Sequence, residues 1–283
     1  MPFKANALAF SLLLTLWTAP AAAETTFGDV AVATAGPPRV IGGHARGCLA
    51  GGEALPLDGA GYQLMRPSRN RFWGHPQLIA FVTQFAEKAH ADGWPGLLIG
   101  DLAQPRGGPM SSGHRSHQTG LDVDIWFLAA PPQPLSESQR EDSSALSMVS
   151  EGGLTVSPAW TEEHVRLLRT AASFPQVDRI FVNPVIKREL CHTVGQDRAW
   201  LAKLRPWWGH DAHFHVGLHC PSQDSECLER VPPVPDGDGC DASLDWWFSA
   251  EAREELRKGA GAPRPRPTLD ELPSACREVL TGG

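Results

Sequence analysis

The chain has 283 residues, with 25 Lys+Arg against 32 Asp+Glu, a formal charge of −7. That acidic balance excludes a general nucleic-acid binder. Once the first 23 residues are set aside, the remaining 24 basic and 32 acidic side chains leave −8, on a length sufficient for one large domain or two small ones.

The N-terminus comes first. Lys4 precedes an apolar run from Ala7 to Trp17, and small residues end in Ala21-Ala22-Ala23. A charged start, a short apolar stretch and an A-x-A site read as a secretory signal peptide over residues 1–23, cut between Ala23 and Glu24. The alternative, a membrane anchor, needs roughly 20 apolar residues. No later stretch is apolar enough to span. The expectation is therefore an exported protein without stable membrane insertion after cleavage, its domain covering residues 24–283.

Residues 24–47 are small, Gly/Pro-containing and unpatterned, and read as an irregular arm. From His75 to His90, residues Leu78, Phe81, Val82, Phe85 and Ala89 repeat with helical period. Gly96 to Gly100 reads as a buried strand, residues 103–120 as a Gly/Ser/Pro loop, and Leu121 to Phe127 as a second strand. Thr161 to Ala172 fits a helix on which His164 is expected to be exposed. Val177 to Val182 reads as a strand, Asp197 to Leu204 as a short helix, and Phe214 to Leu218 as another strand. Beyond Cys220 the chain is rich in Pro and Gly. Strands and helices mix without βαβ regularity, so the fold class is α+β.

All six Cys (Cys48, Cys191, Cys220, Cys227, Cys240, Cys276) follow the signal segment. An even count in an exported chain points to three disulfides, and there is no C-x2-C pair to suggest a Cys-ligated zinc. Six Cys allow 15 pairings. A small Cys220–Cys227 loop is the simplest, and Cys48–Cys276 would tie the two ends together.

Five of the 11 His fall in two clusters. One runs from Ser111 through His114 and His117 to Asp122-Val123-Asp124; the other is Trp207-Trp208-Gly209-His210-Asp211-Ala212-His213-Phe214-His215. Side chains alternate along a strand, so His213 and His215 share a face, about 7 Å apart, as do Asp122 and Asp124. His117 ends the Gly-rich loop feeding that strand. Either fragment alone is a weak pattern, since a lone His-x-His on a strand is more often surface chemistry. Together, His117, Asp124 and His215 make a set of two imidazoles and one carboxylate, which suits catalytic zinc with one position left open. His213 is then placed to move a proton and His210 to orient substrate or support His213. Asp122 reads as a supporting carboxylate. Trp207 and Trp208 are expected to wall a groove or to pack in the core. His44, His75, His90 and His192 read as structural or exposed.

At these residues the chain resembles the penicillin-insensitive murein endopeptidases, within a wider group holding lysostaphin-type endopeptidases, D-Ala-D-Ala dipeptidases and the hedgehog domain. The shared pattern is His117-x6-Asp124 and a distant His213-x-His215. More specific are Ser111-Ser112-Gly113-His114, His117 to Trp126, Arg179-Ile180-Phe181-Val182-Asn183-Pro184 and Arg205-Pro206-Trp207. The resemblance spans about Val40 to Cys276. It implies a small antiparallel sheet core carrying the zinc site, flanked by helices and long disulfide-tied loops. It implies a periplasmic zinc peptidase that cuts D-alanyl-meso-diaminopimelyl cross-links of peptidoglycan stem peptides. It implies the pairs Cys48–Cys276, Cys191–Cys240 and Cys220–Cys227. It places His114 beside the ligands His117, Asp124 and His215, gives His213 the base role and puts His210 in the active site. Family members often carry Asp-x-x-His, associated with a second zinc. Here that stretch is Glu151-Gly152-Gly153-Leu154, and Leu154 cannot bind metal, so one zinc is expected. Two other readings stay open: a wall carboxypeptidase or dipeptidase with the same zinc set, and a non-catalytic wall-binding module with a structural zinc.

Overall fold

The computed structural model describes residue 1 and residues 25–111, 113–234, 236–259 and 265–282. The expected signal peptide lies outside the described residues. Strands β1 (Arg39–Gly43), β2 (Arg46–Ala50), β3 (Glu53–Ala54), β4 (Asp58–Gly59), β5 (Tyr62–Leu64) and β6 (Trp73–Gly74) come first. Helix α1 (Pro76–Ala91), β7 (Leu97–Ile99), β8 (Asp122–Trp126), α2 (Glu137–Asp142), α3 (Glu162–Ala172) and β9 (Val177–Val182) follow. Then come α4 (Pro184–Thr193), β10 (Leu204–Pro206), β11 (His213–Leu218), α5 (Ala242–Asp245), α6 (Ala250–Arg257) and α7 (Ala275–Thr281).

The main sheet has seven strands in the order β10-β9-β11-β8-β7-β5-β4. Its centre, β9-β11-β8-β7, is antiparallel as expected, but β10–β9 and β5–β7 are parallel, so the sheet is mixed and larger than anticipated. The parallel edges arise where helices or long loops return the chain to the sheet in the same direction.

One face of the sheet is dry. Val123 and Ile125 of β8 and Phe214 and Val216 of β11 are fully buried with Phe81 and Phe85 of α1 and Leu168 of α3. Phe85 meets Phe214 edge-on at 6.4 Å, a favoured aromatic geometry. Because side chains alternate, this packing forces Asp122, Asp124, His213 and His215 onto the opposite face.

Two readings are corrected. The supposed irregular arm contains the start of the β1–β2 hairpin, in which Ile41 faces Cys48. Val40, Ile41 and Gly42 of β1 are buried in succession, as are Gly47 to Ala50 of β2, so neither strand shows the alternation that marks a half-exposed strand. His164 is buried, not exposed. It sits at the third position of α3, where its Nδ1 accepts from the Thr161 backbone N–H at 3.1 Å and its Nε2–H donates to the Phe127 carbonyl at 3.2 Å.

The disulfides are Cys48–Cys276, Cys191–Cys240 and Cys220–Cys227, the pairs the resemblance implied. The last two fix the loops that border the site face. Beside Cys240 lies the fully buried Lys187, whose Nζ donates to the Leu201 and Asp238 carbonyls at 2.7 and 2.5 Å. Burial, and then the Arg205 charge, push this amine from an ordinary 10.5 to about 7. Between those values the unfolded chain binds the extra proton, so stability rises with pH across that window and the penalty is fully present below it. Wild type is therefore expected to gain thermal midpoint relative to Lys187→Met between pH 7 and 10 in paired melting curves.

Candidate active site

The site is built on one register. In the β8–β11 ladder His215 lies opposite Asp124, His213 opposite Trp126 and Gly217 opposite Asp122. His215 Nδ1 lies 3.0 Å from Asp124 Oδ1, and His213 Nε2 lies 3.8 Å from Asp124 Oδ2. The loop before β8 adds His114, with Nδ1 3.2 Å from Asp124 Oδ2, and His117, with Nε2 3.4 Å from Oδ1. Four imidazoles thus surround one carboxylate. Among the described residues, His114, His117 and Asp124 offer ligand atoms all within 4.8 Å of one another. His215 stands alongside, its ring 4.7 Å from that of His117.

His117 is the most informative of these. It is fully buried, and among the described residues neither ring nitrogen has a hydrogen-bond partner. Buried polar atoms are normally paired, and leaving one unpaired costs about 1–3 kcal/mol. Its backbone is also left-handed, at φ 68°, as is that of His210 at 52°. Such conformations in non-glycine residues concentrate at functional sites. The donor set, imidazole nitrogens about a buried carboxylate, fits a zinc ion.

Burial alone would raise the pKa of Asp124, but the surrounding imidazoles, His114 and His117 foremost, hold it well below the usual carboxylate range. It is therefore an anion at any physiological pH. Asp122 behaves alike: burial opposes ionisation, and His44, Arg230 and His215 overcome it. Its Oδ2 accepts from His44 Nδ1–H at 2.7 Å and from the His117 backbone N–H at 3.3 Å; its Oδ1 accepts from His215 Nε2–H at 2.8 Å and from Arg230. Asp122 thereby holds the His215 ring and the His117 backbone. Asp122→Asn is expected to weaken metal binding about 10–100-fold, read by competition with a chromogenic chelator.

His213 and His210 are both held neutral. Burial lowers His213 against the pull of Asp124. Burial, then repulsion from His213 and His215, takes His210 down to about 3. His210 Nδ1–H donates to the Trp208 carbonyl at 2.9 Å, which leaves Nε2 as an acceptor. Its strained loop is pinned by Asn183, whose backbone N–H donates to the His210 carbonyl and whose side chain donates to the Gly209 carbonyl, both at 2.9 Å. His213 keeps 29% of its side chain exposed, so it faces the cleft. Trp207 is 46% exposed and Trp208 partly buried; they meet Trp247 at 6.1 and 4.7 Å. Glu151 and Leu154 are both exposed in a turn and belong to no part of the cluster.

Three contributors were not singled out as site residues from sequence. Asp101, just beyond β7, accepts from His114 Nε2–H at 3.1 Å and from Arg71 at 3.0 Å. Arg230 reaches Asp122 across Gly217, where a Cβ would stand 2.5 Å from the guanidinium. His44, read as structural or exposed, holds Asp122. A signal existed for Asp101: an acid at the end of a short buried strand.

The sequence pattern describing penicillin-insensitive murein endopeptidases matches residues 40–281. Proteins named "Penicillin-insensitive murein endopeptidase" are similar over nearly the whole chain. The one from Yersinia enterocolitica is 43% identical over 270 residues, 95% of each chain. That from Klebsiella pneumoniae strain 342 is 42% identical over 271 residues, 95% of this chain and 96% of its own. That from Pectobacterium atrosepticum is 42% identical over 274 residues, 96% of this chain and 95% of its own.

Proposed function

Since this chain belongs to the penicillin-insensitive murein endopeptidase family, we propose that it cuts D-alanyl-meso-diaminopimelyl cross-links of peptidoglycan with one zinc ion. The ligands in this reading are His117, Asp124 and His215, with His114 beside them. The observation that carries it is His117, fully buried, with no hydrogen bond to either ring nitrogen among the described residues and Nε2 3.4 Å from Asp124 Oδ1. A zinc ion held there supplies Lewis acidity toward a carbonyl and a water of lowered pKa.

The chain's own residues supply the rest. Asp124 brings a fixed negative charge, and Asp122 holds His215 by Nε2, leaving Nδ1 on the Asp124 side. Neutral His213 accepts a proton at the cleft and returns it to the leaving amine. His210, its tautomer set by the Trp208 carbonyl, offers Nε2 to a substrate N–H. No serine is acylated in this scheme, which accords with insensitivity to penicillin. Among the described residues no helix is long and apolar enough to cross a membrane. The three disulfides support an oxidising compartment, the periplasm.

The test is digestion of purified cross-linked muropeptide dimers with and without a chelator, alongside metal analysis. Separated stem peptides, abolished by the chelator and restored by zinc, are expected. Release of free D-Ala alone would mean a carboxypeptidase. Wall binding without any cleavage by zinc-loaded protein would mean a binding module.

A further inference from the structure

The site face of the sheet continues past the histidines. Asp124 lies opposite His215, His215 opposite Phe181 of β9, and Phe181 opposite Arg205 of β10. Directly opposed residues share a face, so Arg205 stands in the same row as the metal-site residues. It is two strands, about 10 Å, beyond His215. That is the length of roughly three residues of extended peptide. A groove of about 750 Å³ opens at the Phe181–Arg205 end of this row, lined by Phe181, Trp207 and Trp247 and by five arginines, 46, 115, 179, 205 and 230. Such a concentration of positive charge is notable in a chain of net charge −7.

Three of the five arginines are engaged. Arg230 binds Asp122, Arg179 binds Asp178 at 2.6 Å, and Arg46 lies 3.6 Å from Glu271. Arg205 is half-buried yet makes no hydrogen bond or ion pair among the described residues; Arg115 is exposed and likewise unpaired. Burial and the neighbouring Arg179 charge both disfavour the Arg205 cation, with only Asp241 opposing them. The acid on the groove wall, Glu229, is occupied by the Cys220 backbone N–H at 3.0 Å. A half-desolvated guanidinium beside aromatic rings, with no ion pair among the described residues, is a carboxylate-binding group.

We propose that Arg205 binds a free carboxylate of the stem peptide within about three residues of the scissile bond, with Arg115 assisting from the opening of the groove. This rests on the reading of the protein as a stem-peptide endopeptidase. A stem cross-linked through diaminopimelate carries several free carboxylates, so the charge complementarity is direct. The rest of the peptide lies along Phe181 and Trp207. Arg205 is then a specificity residue: it selects acidic stems over amidated ones.

The decisive measurement is calorimetric binding of a synthetic uncross-linked stem tetrapeptide, which needs no turnover. Arg205→Gln is expected to weaken binding about 10–100-fold, the range for a lost charged hydrogen bond. Amidating the peptide carboxylates should weaken binding to wild type similarly and cost the variant little more. Arg205→Lys should recover part of the loss, and with cross-linked dimers Arg205→Gln should raise KM with kcat little changed. Equal affinity of wild type for acidic and amidated peptides would overturn the proposal even if the variant failed to fold. Arginine-dependent binding without any cleavage of dimers would instead retain this inference and remove the endopeptidase reading.

Discussion

Asp124→Ala is expected to lose metal and hydrolysis together. Asp124 is touched by His114, His117, His213 and His215 alike, at 3.2, 3.4, 3.8 and 3.0 Å. Without it the imidazoles face one another with no anion between them, and binding a divalent cation meets only neutral or positive donors. The loss of affinity should exceed the about 10–100-fold typical of removing an outer partner. Elemental analysis after dialysis against a weak chelator gives the metal content, and chromatography of digested muropeptide dimers gives the activity. A variant that kept stoichiometric zinc and cut dimers at the wild-type rate would remove the site from the mechanism. The fold should survive, because the core beneath the site is formed by Val123, Ile125, Phe214 and Val216 on the other face.

His213→Ala is expected to separate those two properties. Its Nε2 stands 3.8 Å from Asp124, farther than any of the other three imidazoles, and its side chain reaches the cleft. Zinc content should stay near wild type while turnover falls by about 10²–10⁴-fold, the range for a general acid–base group. KM should change less than kcat, because the proton moves in the transition state. Retained full activity would show that the proton passes elsewhere, with His210 the next group to examine. Its ring lies 5.1 Å from that of His213.

Much of the site face was legible in the sequence because strand alternation is strict. His-x-His and Asp-x-Asp could be assigned to shared faces before any pairing was known, and the hydrophobic spacing of α1 placed the opposite layer. Which strand met which could not be read, since register depends on contacts between residues some 90 positions apart, as His215 and Asp124 are. Arg230 and His44 escaped for the same reason: each is an ordinary polar residue until the sheet brings it to an aspartate. The exposure expected of His164 failed because a polar sequence neighbourhood says nothing of Phe127, Trp94 and Trp160, which enclose its ring. The β1–β2 hairpin was missed because small residues and glycines carry little periodic signal.

The pairing of β8 with β11 has a consequence for tolerated sequence change. Chemistry and core occupy alternate rungs of one ladder, so a single-residue insertion or deletion inside either strand exchanges them. It would turn Phe214 toward water and an acid or imidazole toward the oily layer. Length variation in this protein should therefore collect in the loops, while these two short stretches accept replacement of residues but no change in their number.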